Sequence, residues 1–121
     1  MRRAAGILLA VSSLPSRYGI GCFSESAYAF VDWLKAAGQT YWQMLPLGPT
    51  GWGDSPYQSF STFAGNPYFI SLEALAGEGV LTPEECGSAD WGGDPAAIDY
   101  EKLYRHRYPL LRRAYARSRV D

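Results

Sequence analysis

The stretch from Leu47 to Pro67 constrains this chain more than any other. It carries Gly48, Pro49, Gly51, Gly53, Pro56, Gly65 and Pro67 and sustains neither a helical nor a strand period. Irregular stretches of this length inside a compact domain are functional or disordered. Disorder fits poorly, because Trp52, Tyr57, Phe60, Phe63 and Tyr68 supply apolar surface that a disordered segment rarely carries. The expectation is an ordered loop over about residues 46–68 that folds onto something else.

What precedes the loop has a clear order. Gly6 to Ser12 reads as a short buried strand, although Arg2 and Arg3 ahead of an apolar run and the small residues Ser12 and Ser13 imitate an export signal. Gly6 within the run, Leu14 and Pro15 directly after it, and no clean Ala-x-Ala site favour the strand. A turn-rich loop follows from Ser13 to Phe23. Ser24 then stands as an N-cap, Glu25 suits the positive start of a helix, and Ala27, Phe30, Val31 and Leu34 recur at helical spacing before Gly38 offers a left-handed end. Tyr41 to Leu45 reads as a second buried strand stopped by Pro46. Strand, helix, strand predicts a right-handed crossover and a parallel pair. The loop after a parallel strand is where barrel enzymes place their sites.

Beyond the loop, Ser71 to Ala76 predicts a short helix, and Thr82-Pro83-Glu84-Glu85 has the form of a capping box with proline at the first helical position. From about residue 99 to 119, Leu103, Leu110, Leu111, Ala114 and Tyr115 predict a helix that Pro109 bends or splits.

Composition excludes several classes. The 121 residues are 47% hydrophobic and 19% charged, enough for one domain with a modest core. A net charge of -1 gives no bulk attraction to nucleic acid or an anionic membrane, and no stretch approaches a spanning helix. Cys22 and Cys86 have no metal-ligand spacing, and two buried thiols are expected rather than a bridge.

The loop's own residues suggest a chemistry. Asp54-Ser55-Pro56-Tyr57-Gln58-Ser59 sets acceptors, hydroxyls and an amide beside the rings of Trp52 and Tyr57. Pyranose rings present C–H faces that pack on aromatic rings, and their hydroxyl edges need donors and acceptors once water leaves. From composition alone, an ordinary loop whose Asp and Ser satisfy its own turns stands as an equal alternative.

The continuous run YWQMLPLGPTGWGDSPYQSFSTFAGNPY, Tyr41 to Tyr68, closely resembles the N-terminal signature of 4-alpha-glucanotransferases. Gly6-Ile7-Leu8-Leu9, Ser13-Leu14-Pro15 and Tyr18-Gly19-Ile20-Gly21 are similar to that family's first strand and loop, and a weaker resemblance runs through Asp99-Tyr100 to Leu103-Tyr104. The resemblance implies the N-terminal portion of a (β/α)8 TIM-type barrel of the alpha-amylase clan, incomplete in this chain, with residues 1–121 all belonging to the catalytic barrel domain. It implies a cytoplasmic enzyme without metal or cofactor that moves a maltodextrin segment to glucose or another 1,4-alpha-glucan. In such a mechanism a carboxylate attacks the anomeric carbon, a second protonates the leaving oxygen, and configuration is retained. The acceptor is a sugar rather than water, which aromatic walls favour by excluding water and orienting the acceptor.

Residue by residue, Tyr57 matches the ring that stacks under the sugar beside the scissile bond. Ser55 matches a contact to donor-side hydroxyls, and Asp54 a residue that holds the loop's shape. Gln58 and Asn66 are weaker supporting candidates. Trp52 stands where the family commonly has tyrosine, keeping the stacking face without the hydroxyl, and with it Tyr104 is expected to form an outer groove. No catalytic carboxylate is placed within this chain, and Asp54, Asp90, Asp94 and Asp99 are not promoted to nucleophile. Only two barrel strands are visible against the eight required. The resemblance therefore implies a fragment, a truncated product or half of a split enzyme, completed by the remainder of the barrel.

His106, between Arg105 and Arg107, is expected on a helix surface without a role. The basic tail Lys102, Arg105, Arg107, Arg112, Arg113, Arg117 and Arg119 is expected to be a solvated face that meets acidic partners rather than a nucleic-acid surface, since no base-stacking motif accompanies it. Two other functions stay open: a non-catalytic maltodextrin-binding fragment, and a hydrolase of the same clan. Two parallel strands without neighbours would leave edges and apolar faces uncovered, so the isolated chain is expected to aggregate or remain molten.

Overall fold

β1 (Gly6–Leu8) and β2 (Tyr41–Gln43) pair in parallel, Gly6 opposite Tyr41, Ile7 opposite Trp42 and Leu8 opposite Gln43, in a computed structural model that describes residues 1–119. The parallel pair is as the order of elements predicts. Both strands are shorter than Gly6–Ser12 and Tyr41–Leu45, and neither is fully buried: Leu8 is 59% exposed and Tyr41 63%. The apolar run leaves the strand early, into a 3-10 turn at Val11–Ser13 whose Val11 is buried. Each strand has one neighbour, so only part of the sheet surface finds cover.

The chain divides into two compact units, residues 1–15 with 21–70, and residues 16–20 with 71–121, the last two of which lie outside the described residues. In the first unit α1 (Glu25–Ala36) connects the strands. Its Ala27 packs with Val11 and Leu14, and Leu9, Phe30, Trp42, Met44 and Phe69 extend that core. Trp42 fixes the register by donating its indole N–H to the Leu9 carbonyl at 2.8 Å, while its ring meets Phe30 edge-on at 4.8 Å. Ser24 occupies the N-cap position with an extended backbone but makes no side-chain cap bond, and Gly38 takes the expected left-handed conformation at φ +72°. Val31, expected on the apolar stripe, is half exposed.

In the second unit the local signals hold. α2 (Leu72–Gly77) is capped by Ser71, which accepts from the Ala74 N–H, and α3 (Pro83–Gly87) by the reciprocal Thr82–Glu85 box. α4 (Tyr100–Arg117) starts at Asp99, which accepts from the Lys102 N–H, and runs through Pro109 without splitting, although proline removes one internal hydrogen bond. Its buried stripe, Leu103, Arg107, Leu110 and Ala114, keeps the spacing of one helix face. Leu110 and Ala114 join Leu72, Leu81 and Cys86 in a core that Tyr18, Trp91 and Leu111 flank. Burial of Leu103 and Leu110 together contributes roughly 3–6 kcal/mol, enough to offset the about 3 kcal/mol that proline costs inside a helix.

Arg107 is the departure from that pattern. It is 0% exposed and donates from Nη1 to the Tyr18 carbonyl at 2.8 Å, with its guanidinium 5.9 Å from the Trp91 ring centre. Four other basic residues of the tail meet carboxylates within the chain. Lys102 pairs with Asp90 at 2.6 Å, Arg105 with Glu101 at 2.6 Å, and both Arg113 and Arg117 reach Glu85. His106 lies half buried with its ring edge toward Trp91. Cys22 and Cys86 are buried thiols, one in each unit.

Candidate functional site

The irregular stretch is an ordered loop with a neck and a tip. At the neck Thr50 and Ser59 form an isolated antiparallel bridge, and the Asn66 N–H donates to the Leu47 carbonyl at 2.7 Å. Gly48 is needed there for closeness, since an added Cβ would lie 2.7 Å from Ser59 Oγ. The Ser59 hydroxyl donates in turn to the Ser61 carbonyl at 2.8 Å.

The tip turns sharply. Gly53 has φ +88° and Asp54 φ +55°, a left-handed pair in which aspartate is the unusual member. The Asp54 N–H donates to the Gly51 carbonyl at 3.1 Å, and its carboxylate accepts from the Thr50 hydroxyl at 3.3 Å. Ser55 follows, its hydroxyl accepting from the Tyr57 N–H at 3.3 Å and its carbonyl from the Gln58 N–H at 3.2 Å. Serine thus serves the turn that presents Tyr57. The rings are left bare: Trp52 is 100% exposed and Tyr57 72%, and Phe60 and Phe63 stand out further along the same loop.

Five of the seven residues singled out in the sequence, Trp52, Asp54, Ser55, Tyr57 and Gln58, therefore share one loop tip. Asn66 does not. It is buried, and its Oδ1 accepts from the Tyr68 N–H at 2.9 Å, capping the 3-10 turn Pro67–Phe69. Tyr104 belongs to the second unit, exposed on α4 with its ring meeting Tyr108 edge-on at 5.5 Å and 70°. Thr50 is not singled out by the sequence, because its contact with Asp54 depends on a backbone turn four residues later.

Among the described residues, Asp90 and Glu85 are carboxylates whose pKa moves the wrong way for a leaving-group acid. A leaving-group acid needs a raised carboxyl pKa. Asp90 is instead lowered, by its bond to Lys102 and then by the Gly92 N–H, and Glu85 is lowered by Arg117 and then by Thr82. Burial pushes the Cys86 thiol up, away from the nucleophilic thiolate. Among the described residues no cluster of three or more His, Cys, Asp or Glu could hold a metal, and no helix is long and apolar enough to cross a membrane. What the loop offers is a surface of bare aromatic faces interleaved with hydroxyl, amide and carboxylate groups.

A family model described as 4-alpha-glucanotransferase matches residues 9–121. The 4-alpha-glucanotransferase of Streptococcus pneumoniae is 52% identical over 116 residues, covering 96% of this chain and 23% of that protein. That of Thermus thermophilus is 50% identical over 113 residues, covering 93% and 22%. A solved structure, amylomaltase from Streptococcus agalactiae in complex with acarbose, superposes with a TM-score of 0.92 at 44% identity over 96% of this chain and 23% of that one. The chain thus spans less than a quarter of the length of these relatives.

Proposed function

The chain belongs to the 4-alpha-glucanotransferase family, and from that premise we propose that it is the substrate-facing N-terminal part of a (β/α)8 barrel that transfers a 1,4-alpha-glucan segment from a maltodextrin to glucose or another glucan. The observation that carries the reading is the loop tip, where Tyr57 and Trp52 lie bare beside Ser55, Asp54 and Gln58. That the Streptococcus agalactiae relative was solved in complex with acarbose supports a sugar ligand for the complete protein.

In this reading Tyr57 stacks under the sugar next to the bond that breaks, and Ser55 meets donor-side hydroxyls from the turn it stabilises. Asp54 and Asn66 hold the loop's shape, Gln58 supports it, and Trp52 and Tyr104 offer outer faces to a longer glucan. The nucleophile, the acid and a further carboxylate that holds the distorted sugar come from the remainder of the barrel, through a covalent glycosyl-enzyme with retention. The loop's share of catalysis is to exclude water and raise the effective concentration of the acceptor hydroxyl. The reaction needs no cofactor in this chain, and the setting is cytoplasmic.

The test is an exchange protein in which this chain replaces the matching quarter of the Streptococcus pneumoniae relative. Disproportionation of maltotriose by the exchange protein is expected, and Tyr57→Ala should lower kcat/KM roughly tenfold or more, about 1.4 kcal/mol, while shifting thermal stability little. Equal loss of stability would make Tyr57 a core residue instead. A folded exchange protein without transfer, alongside saturable quenching of Trp52 by maltoheptaose, would favour the binding-module reading, which the fully exposed Trp52 allows.

A further inference from the structure

Trp52 sits between Gly51 and Gly53, the two neighbours that restrain a backbone least, and no packing holds its fully exposed ring. Tyr57 is nearly as bare. The backbone directions from which they project are therefore set by hydrogen bonds in the loop. The decisive corner is Asp54, whose φ of +55° is disfavoured for any side chain and rare outside Asn, Asp and Gly. Thr50 touches that corner from the neck: its main chain pairs with Ser59, and its hydroxyl donates to Asp54 Oδ1 at 3.3 Å.

We propose that Thr50 is a positioning residue for the glucan-binding loop, its hydroxyl selecting the left-handed corner at Asp54 that aims Trp52 and Tyr57. The inference rests on the functional reading above. The bond is long for a hydroxyl and a carboxylate, so it biases the corner rather than locking it. A several-fold effect on substrate binding follows, not an abolition of transfer. Loss of the hydroxyl leaves the Thr50–Ser59 bridge in place, because that bridge uses main-chain atoms only.

The experiment uses the same exchange protein with three changes. Thr50→Val keeps the branched side chain and the main-chain pairing but has no donor, Thr50→Ser keeps the donor, and Asp54→Gly removes the acceptor while tolerating positive φ. Thr50→Val should raise KM for maltotriose about fivefold, the size of one modest hydrogen bond, with kcat changed less than about twofold. Thr50→Ser should restore KM, and Thr50→Val should add nothing in the Asp54→Gly background. Chymotryptic cleavage after Trp52 and Tyr57 should quicken in Thr50→Val and not in Thr50→Ser, a reading that does not depend on turnover.

An active exchange protein whose KM ignores Thr50→Val, or in which the Thr50 and Asp54 changes simply add, overturns this inference and leaves the functional reading intact. A folded but inactive exchange protein overturns the functional reading and with it the glucan-specific form of this inference. Cleavage that is no faster in Thr50→Val overturns the positioning role itself.

Discussion

The Arg107 guanidinium donates from Nη1 to the carbonyl of Tyr18 at 2.8 Å, joining residues 89 positions apart within one compact unit. A buried charge held by a carbonyl and an aromatic face is worth most as a packing element that also satisfies a buried acceptor. Arg107→Ala should destabilise the protein by about 3 kcal/mol, through loss of a charge-assisted hydrogen bond and the volume left behind. The measurement is the urea midpoint of the exchange protein. Arg107→Lys should recover only part of it, because a single ammonium lacks the planar fork.

Glu85 gives the fold an acid-sensitive seam. Both of its carboxylate oxygens accept from Arg117 at 2.9 Å, and Oε2 also accepts from the Thr82 N–H. These contacts hold its pKa below the ordinary 4.5. The carboxylate's contribution is therefore complete above that value and fades as pH falls through the lowered folded one. Thermal midpoints taken from about pH 6 down to about pH 3 should fall less steeply for Glu85→Gln than for the parent. A remaining slope is expected from Asp90, lowered in the same sense by Lys102.

Asn66 separates a structural role from a sugar-binding one. Its side chain caps the turn at Pro67–Phe69 from a buried position. Asn66→Ala should lower stability by about 1 kcal/mol, and Asn66→Ser should recover most of that, since serine caps nearly as well. If KM for maltotriose rises equally in both variants with stability unchanged, Asn66 binds sugar and the cap is incidental.

Gly21 is required by space alone. Its φ is not left-handed, yet an added Cβ would collide with the Val11 carbonyl oxygen and lie 2.6 Å from the Leu14 nitrogen. Both obstacles are backbone and cannot rotate aside. Gly21→Ala should cost about 2 kcal/mol or more and reduce soluble yield on expression.

The sequence announces structure wherever the deciding interaction is local. Ser71, the Thr82–Glu85 box and Gly38 each act within a few residues, and each forms as the pattern predicts. The parallel pair and the ordered aromatic loop were legible too, and so was the gathering of Trp52, Asp54, Ser55, Tyr57 and Gln58 in one tip. What escaped depends on distant partners or on backbone shape. Arg107 reads as one more member of a basic tail until Tyr18 and Trp91 surround it, and Val31 keeps helical spacing while facing outward. Asn66 reads as a weak supporting residue of a polar loop, and only the backbone shows what it supports, the N–H of Tyr68. Pro109 should bend or split α4 by propensity, and the helix is not split because Leu103, Leu110 and Ala114 anchor it on both sides.

Residues 16–20 belong to the second unit although the chain before and after them builds the first. That brief excursion works as a stitch. A gene divided after Ile70 would hand Arg107 to one product and its acceptor on Tyr18 to the other, so neither could inherit a finished module. Engineering that shuffles the two halves therefore begins by moving residues 16–20 with the second.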